Sequence, residues 1–141
     1  MTVFPAPPAV THLTPILNVS DIRASIAWFM KWGWNECWTW SESGAGEPTF
    51  AAVGSGACEI FMCKDGQGGR GAAPEGADHE ATSRGVWMSV WVRGVDAMHE
   101  ACARAGLRVL VPPEDKPWRV REFHLQHPDG HVFRVSQGIT R

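Results

Sequence analysis

The strongest constraint on this chain is that its layout occurs twice. Residues 13–21, "LTPILNVSD", alternate as a strand does, with Leu13, Pro15, Leu17 and Val19 on one face. Ser20 or Asp21 can cap a helix, because a short polar side chain satisfies the free N–H groups of a first turn. Ile22, Ile26, Phe29 and Met30 then recur at helical spacing, and Gly33 ends the run. Three strand candidates follow, "WNECWTW", "TFAAV" and "ACEIFMC", divided by glycine and proline. At residue 86 the order restarts. "VWMSVWVRGVD" reads as a strand ending in an aspartate. Val95, Met98, Cys102 and Ala105 form an apolar helical stripe that stops at Gly106. "LRVLV", "VREFHLQ" and "HVFRVSQ" close the set as strands. The pattern is βαβββ twice, a repeat of about 75 residues, with Asp21 and Gly33 answering to Asp96 and Gly106. An α+β fold is expected: one domain over 1–141, with a first module at 10–63 and a second at 85–138. Between them, 64–84 is rich in glycine and nearly free of apolar residues, so it is expected to be a mobile linker or lid, with His79 solvated.

Composition narrows the function. A net charge of −2 lacks the basic footprint of a nucleic-acid binder. No apolar run approaches the roughly 20 residues of a membrane helix. "MTVFPAPPAV" has no basic region followed by an apolar run, so no signal peptide is expected, and its prolines point to an extended arm. Cys37, Cys58, Cys63 and Cys102 form no CxxC pair and show no metal-site spacing. Buried free thiols and a cytoplasmic location are the expectation. Eight tryptophans stand beside no tyrosine, more than a core of this size readily absorbs, so some are expected to line a cavity or an interface. Trp28, Trp32 and Trp34 are assigned to helix packing or an interface.

Tandem βαβββ modules ending in "HPDGHVFRV" resemble the vicinal-oxygen-chelate superfamily, which includes glyoxalase I, extradiol dioxygenases, and fosfomycin- and bleomycin-resistance proteins. "VWVRGVDAM" and "KPWRVREFHLQHPDGHVF" are most similar to the bleomycin-resistance branch. The resemblance spans roughly residues 10 to 138 and is specific in the second half. It departs from the family in "HPDG", where "DPDG" or "DPAG" is usual. It implies a U-shaped trough of mixed β-sheet backed by helices. It also implies a homodimer whose ligand clefts lie between modules of two subunits.

Metal-binding relatives carry ligands at four trough positions, which fall here on Thr14, Glu59, Ser89 and Arg134. Hydroxyls are poor ligands, and an arginine stays protonated and repels a cation. No metal and no cofactor are therefore expected. Glu59 and Arg134 are expected to face each other, either paired or separately solvated. His12 shares a strand face with Thr14 and becomes a ligand only if the register slips by two residues. "HPDG" reads as a tight turn, so His127 and His131 are expected at the surface. His99 lies off its helix stripe, and His124 faces either the trough or a half-buried strand position.

Strand periodicity then sends Trp87, Ser89, Trp91 and Arg93 toward the trough, with Glu59, Phe61 and Cys63 from the first module. The resemblance adds Trp38 and Trp118 as cleft aromatics. The candidate ligand-binding set is Trp38, Glu59, Phe61, Trp87, Trp91, Trp118, His124 and Arg134, and no catalytic residue is assigned. The expected function is sequestration of a planar or amphipathic antibiotic-like molecule, without nucleic acid or membrane as partner. The alternatives are a metal-dependent glyoxalase-like lyase, isomerase or dioxygenase, and a scaffold with no ligand.

Overall fold

In the computed structural model, residues 5–71 and 85–139 are described. β1 (Ile16–Val19), α1 (Ile22–Met30), β2 (Asn35–Trp40), β3 (Phe50–Ser55) and β4 (Cys58–Lys64) make the first βαβββ unit. β5 (Trp87–Trp91), α2 (Val95–Arg104), β6 (Arg108–Lys116), β7 (Val120–Gln126) and β8 (Val132–Gly138) make the second. Each unit is a four-stranded mixed sheet, in the orders β1-β4-β3-β2 and β5-β8-β7-β6. The first strand pairs parallel to the last, and the remaining pairs are antiparallel. The repeat holds in register as well. Ile16 pairs with Phe61 and its counterpart Trp91 with Ser136, at the same separation along the chain.

The two helices start differently. Asp21 caps α1 by accepting the Ala24 N–H at 3.0 Å. Gly94 stands at the cap of α2 and offers no side chain. The Val95 N–H is taken instead by Gln137 Oε1 of β8, at 2.8 Å. Asp96 sits in the first turn of α2, where its charge suits the helix dipole, and it pairs with Arg121 at 3.1 Å. The first strand begins at Ile16, later than its alternation predicts, and Leu13 is exposed.

Both sheets give one face to a shared core. Leu17, Val53 and Met62 from the first sheet and Phe123, Phe133 and Val135 from the second belong to one buried cluster with α1 and α2. α1 touches both sheets. It packs against its own β2, β3 and β4. Phe29 also meets Phe133 edge-on at 5.6 Å, and Trp28 and Trp32 lie 5.7 and 5.1 Å from the same ring. Trp28, Trp32 and Trp34 are buried within the chain, which is helix packing, the first of the two roles expected for them. The opposite face of each sheet, the trough face, points away from this core.

The "HPDGH" turn departs from expectation. His127 and His131 are almost fully buried, because the turn docks on the first unit instead of facing water. His127 Nδ1 accepts the Asp129 N–H at 2.9 Å, so Nε2 carries the proton and donates to Ser25 Oγ of α1 at 2.9 Å. His131 Nδ1 accepts the Val86 N–H at 3.0 Å, and its Nε2 donates to the Asn18 carbonyl at 2.7 Å. Asp129 accepts the Ser20 N–H at 2.9 Å. Burial pushes the His127 imidazole down to about 3, assisted by His131 and opposed by Asp129. Burial also lowers His131, against the Asn18 hydrogen bond. Gly85 passes so close to this turn that a Cβ there would lie 2.2 Å from the Gly130 carbonyl oxygen.

The thiols also differ from expectation. Cys37 and Cys58 are exposed and Cys63 half-buried. Only Cys102 lies in the core, where burial raises it to about 11. All four are free. Most of the 64–84 segment, including His79, lies outside the described residues.

Candidate functional site

Alternation along the strands fixes what each trough face displays. On β4, Ile60 and Met62 go to the core, so Glu59, Phe61 and Cys63 face the trough. Register then aligns Ile16, Phe61, Ala52 and Trp38 as one row across the first sheet. Trp38 stacks on Phe50 at 5.6 Å and meets Phe61 edge-on at 5.2 Å, while Phe50 and Phe61 lie 5.6 Å apart. Ala52, with its methyl side chain, leaves room for the three rings. Trp38 and Phe50 open into a groove of about 690 Å³ that Trp40 and Cys63 also line. This volume is within the range of small-molecule sites.

The second sheet carries three rows on the same face. The first is Trp91, Ser136, Glu122 and Glu114. The second is Ser89, Arg134, His124 and Val111. The third is Trp87, Val132, Gln126 and Arg108. Met88, Val90 and Val92 turn toward the core, which leaves Trp87, Ser89 and Trp91 on the trough.

Arg134 does not pair with Glu59. Its Nη2 donates to Glu122 Oε1 at 2.9 Å. The reason is register: β7 and β8 place Glu122 diagonally across from Arg134, whereas Glu59 sits on the other sheet. Ser136 Oγ donates to Glu122 Oε2 at 3.2 Å, and His124 Nε2 lies 3.8 Å from Oε1. Burial alone would raise the Glu122 carboxyl. The hydrogen bond and charge of Arg134, with His124 and Ser136, outweigh burial and hold it below the usual carboxylate range. The Arg134 guanidinium lies over the Trp118 ring at 5.9 Å, and Lys116 Nζ is 5.8 Å from the same ring. Trp87 meets His124 edge-on at 5.8 Å.

The eight candidate residues therefore divide. Trp38, Glu59 and Phe61 lie on the first sheet. Trp87, Trp91, His124 and Arg134, with Trp118 above them, belong to the second. Among the described residues, no ring contact or ion pair joins the two groups. Trp38, Trp91 and Trp118 are exposed, while His124 is 3% exposed. Glu122, Ser136 and Gln126 were missed by sequence reasoning. The available signal was the alternation of "EFHLQ", which puts Glu122 and Gln126 on the face of His124.

The donor set does not fit a divalent metal. Ser89 offers a neutral hydroxyl, and Arg134 brings a cation already bound to the nearest carboxylate. His12 is exposed and bonded to its neighbour Thr11. Among the described residues, no group of three or more histidines, cysteines or acids could hold a metal ion. No described helix is long and apolar enough to cross a membrane.

Among solved structures, TioX from Micromonospora sp. ML1 superposes with a TM-score of 0.72 at 19% identity, covering 92% of this chain and 100% of its own. A bleomycin-binding protein complexed with bleomycin gives 0.63 at 16%, covering 92% and 99%. A superfamily member from Sphaerobacter thermophilus DSM 20745 gives 0.66 at 19%, covering 92% and 98%. At these identities the likeness shows the fold. No curated protein matches the chain in sequence. The sequence profile of one family does, over residues 9–135, and the chain accordingly belongs to the glyoxalase/bleomycin resistance protein/dioxygenase superfamily.

Proposed function

We propose that this protein sequesters a planar, amphipathic small molecule in clefts formed between two copies of the chain. The observation that carries the reading is the ring cluster of Trp38, Phe50 and Phe61 on one outward face, with Trp38 exposed and the two phenylalanines half-buried beside it. A second, mostly polar face stands on the other sheet, and among the described residues no ring contact or ion pair links the two. A partner copy that sets the first sheet of one protomer opposite the second sheet of the other closes each cleft. The ligand then has rings on one side and the Arg134–Glu122 pair with Trp118 on the other. Stacking and cation–π contacts of this kind contribute roughly 0.5 to 2 kcal/mol each. A structural neighbour that binds bleomycin supports this class of ligand. Bleomycin itself is less favoured, since −2 per chain offers a cationic drug only mild attraction.

The test pairs sedimentation with tryptophan fluorescence, titrating bleomycin and neutral planar compounds into the purified protein. A dimer that is quenched saturably by at least one planar compound is the expected result. A monomer unquenched by any of them overturns the reading. Stoichiometric zinc, nickel, iron or manganese in the purified protein would favour the metal-dependent enzyme instead.

A further inference from the structure

Where α1 ends and α2 begins, the two units leave an open groove of about 500 Å³ on the helix side of the molecule. Lys31, just past α1, lines it from the first unit. Arg93, between β5 and α2, lines it from the second. β5 stops at Trp91, so Arg93 escapes the alternation that would send it to the trough. Val92, Ala97 and Met98 supply an apolar wall. Met98 reaches across toward α1: its Cε lies 3.8 Å from the point that a Cβ on Gly33 would occupy.

The polarity of this lining is one-sided. It holds two cations and no carboxylate, amide or hydroxyl side chain. Elsewhere among the described residues, Arg23, Arg70, Arg104, Lys116, Arg121 and Arg134 each pair with a carboxylate. Neither Lys31 nor Arg93 does, and both are exposed. Lys31 follows the C-terminal end of α1, where a cation suits the helix dipole. Arg93 stands just ahead of the first turn of α2, where charge and dipole have the same sign. Gly94 brings no side-chain cap to that end, and Asp96, the acid of the first turn, is bound to Arg121. The positive potential at Arg93 is therefore answered by no anion of the lining. The apolar wall has a flexible thioether and small aliphatic groups, which adapt to a chain better than they stack on a ring.

We infer that this groove is a binding site for an amphipathic carboxylate with an aliphatic body. The carboxylate accepts from the Lys31 ammonium and the Arg93 guanidinium, and the alkyl chain covers Val92, Ala97 and Met98. Trp32, 2% exposed beneath, takes no part in the polar contact. The site bridges the two units and is independent of the sequestration reading.

The test titrates the full-length protein with octanoate, 1-octanol and octylammonium by calorimetry. Octanoate is expected to bind at least about tenfold more tightly than either of the others, and less tightly as salt is added, as charge-assisted contacts at an exposed groove require. Lys31→Gln and Arg93→Gln are each expected to weaken octanoate by about tenfold and to leave 1-octanol unchanged. Arg104→Gln, at the far end of α2, is expected to change nothing. Ala97→Glu supplies the groove with its own carboxylate at an exposed first-turn position, where an acid suits the helix. It is expected to keep or raise Tm and to abolish octanoate binding. Equal affinity for octanoate and 1-octanol, tighter binding of octylammonium, an octanoate affinity that the three groove variants leave unchanged, or no octanoate binding at millimolar concentration overturns the site. None of these outcomes bears on the trough, whose planar ligands are tested separately.

Discussion

The two trough faces share one backbone plan and carry opposite chemistry. Row for row, Ile16, Phe61, Ala52 and Trp38 on the first sheet answer to Trp91, Ser136, Glu122 and Glu114 on the second. The row that holds Glu59 has Gly54 beside it. The row that holds Arg134 has His124 beside it and Glu122 diagonal to it. A glycine neighbour leaves Glu59 exposed to water, where a lone charge is harmless. Arg134 is set among side chains and needs Glu122. The repeat thus fixes where a side chain points, and its neighbours across the strands decide whether a charge there is structural or idle.

The sharpest way to break this contrast is to neutralise both positions. Arg134→Met strands the Glu122 carboxylate in a buried site and is expected to lower stability by about 2–3 kcal/mol, toward the low side because the arginine is partly exposed. Glu59→Gln is expected to change stability by less than about 0.5 kcal/mol. Urea denaturation of the two variants measures the difference. Adding Glu122→Leu to Arg134→Met is expected to recover most of the loss, and no recovery would mean the pair is not the cause.

Acid separates the hairpins that close the two sheets. The β3–β4 turn of the first is exposed at 55–57, while the β7–β8 turn of the second buries His127. Between the ordinary imidazole value of 6.5 and about 3, the unfolded chain holds a proton on His127 that the folded protein excludes. Stability therefore falls as the pH drops through that window, by up to about 1.4 kcal/mol per unit. Urea midpoints between pH 7 and 4 should show the slope, and His127→Gln should flatten it even though the variant is less stable throughout. An unchanged slope would place the acid sensitivity elsewhere.

The smallest effect on folding belongs to the exposed rings. Trp91→Ala and Trp118→Ala are expected to cost less than about 0.5 kcal/mol in stability, since both side chains are more than half exposed. Each is expected to weaken ligand binding by about tenfold. Equal losses in Tm and affinity would return both rings to a packing role.

What the sequence made legible follows from distance along the chain. Alternation and helical spacing are local, and they place the trough residues of β4, β5 and β8 and the buried Trp28 correctly. The partner of Arg134 depends on how β7 registers against β8, and local pattern carries no information about that alignment. The buried histidines are harder still. "HPDGH" has the local chemistry of a surface turn, and only its docking on Asn18, Ser20 and Ser25, more than a hundred residues earlier, takes it out of water.

Helix α1 lies against both sheets, and this bears on how the molecule can be divided. Each copy of the repeat contains a full complement of strands and a helix, yet the ring of Phe133 is covered by Trp28, Phe29 and Trp32 of the other copy. A polypeptide cut between Gly71 and Gly85 would yield two halves that are incomplete apart and complementary together. If the repeat arose by duplication, the copies have since become mutually obligate, and a fragment of either would have to find its sibling before it could settle.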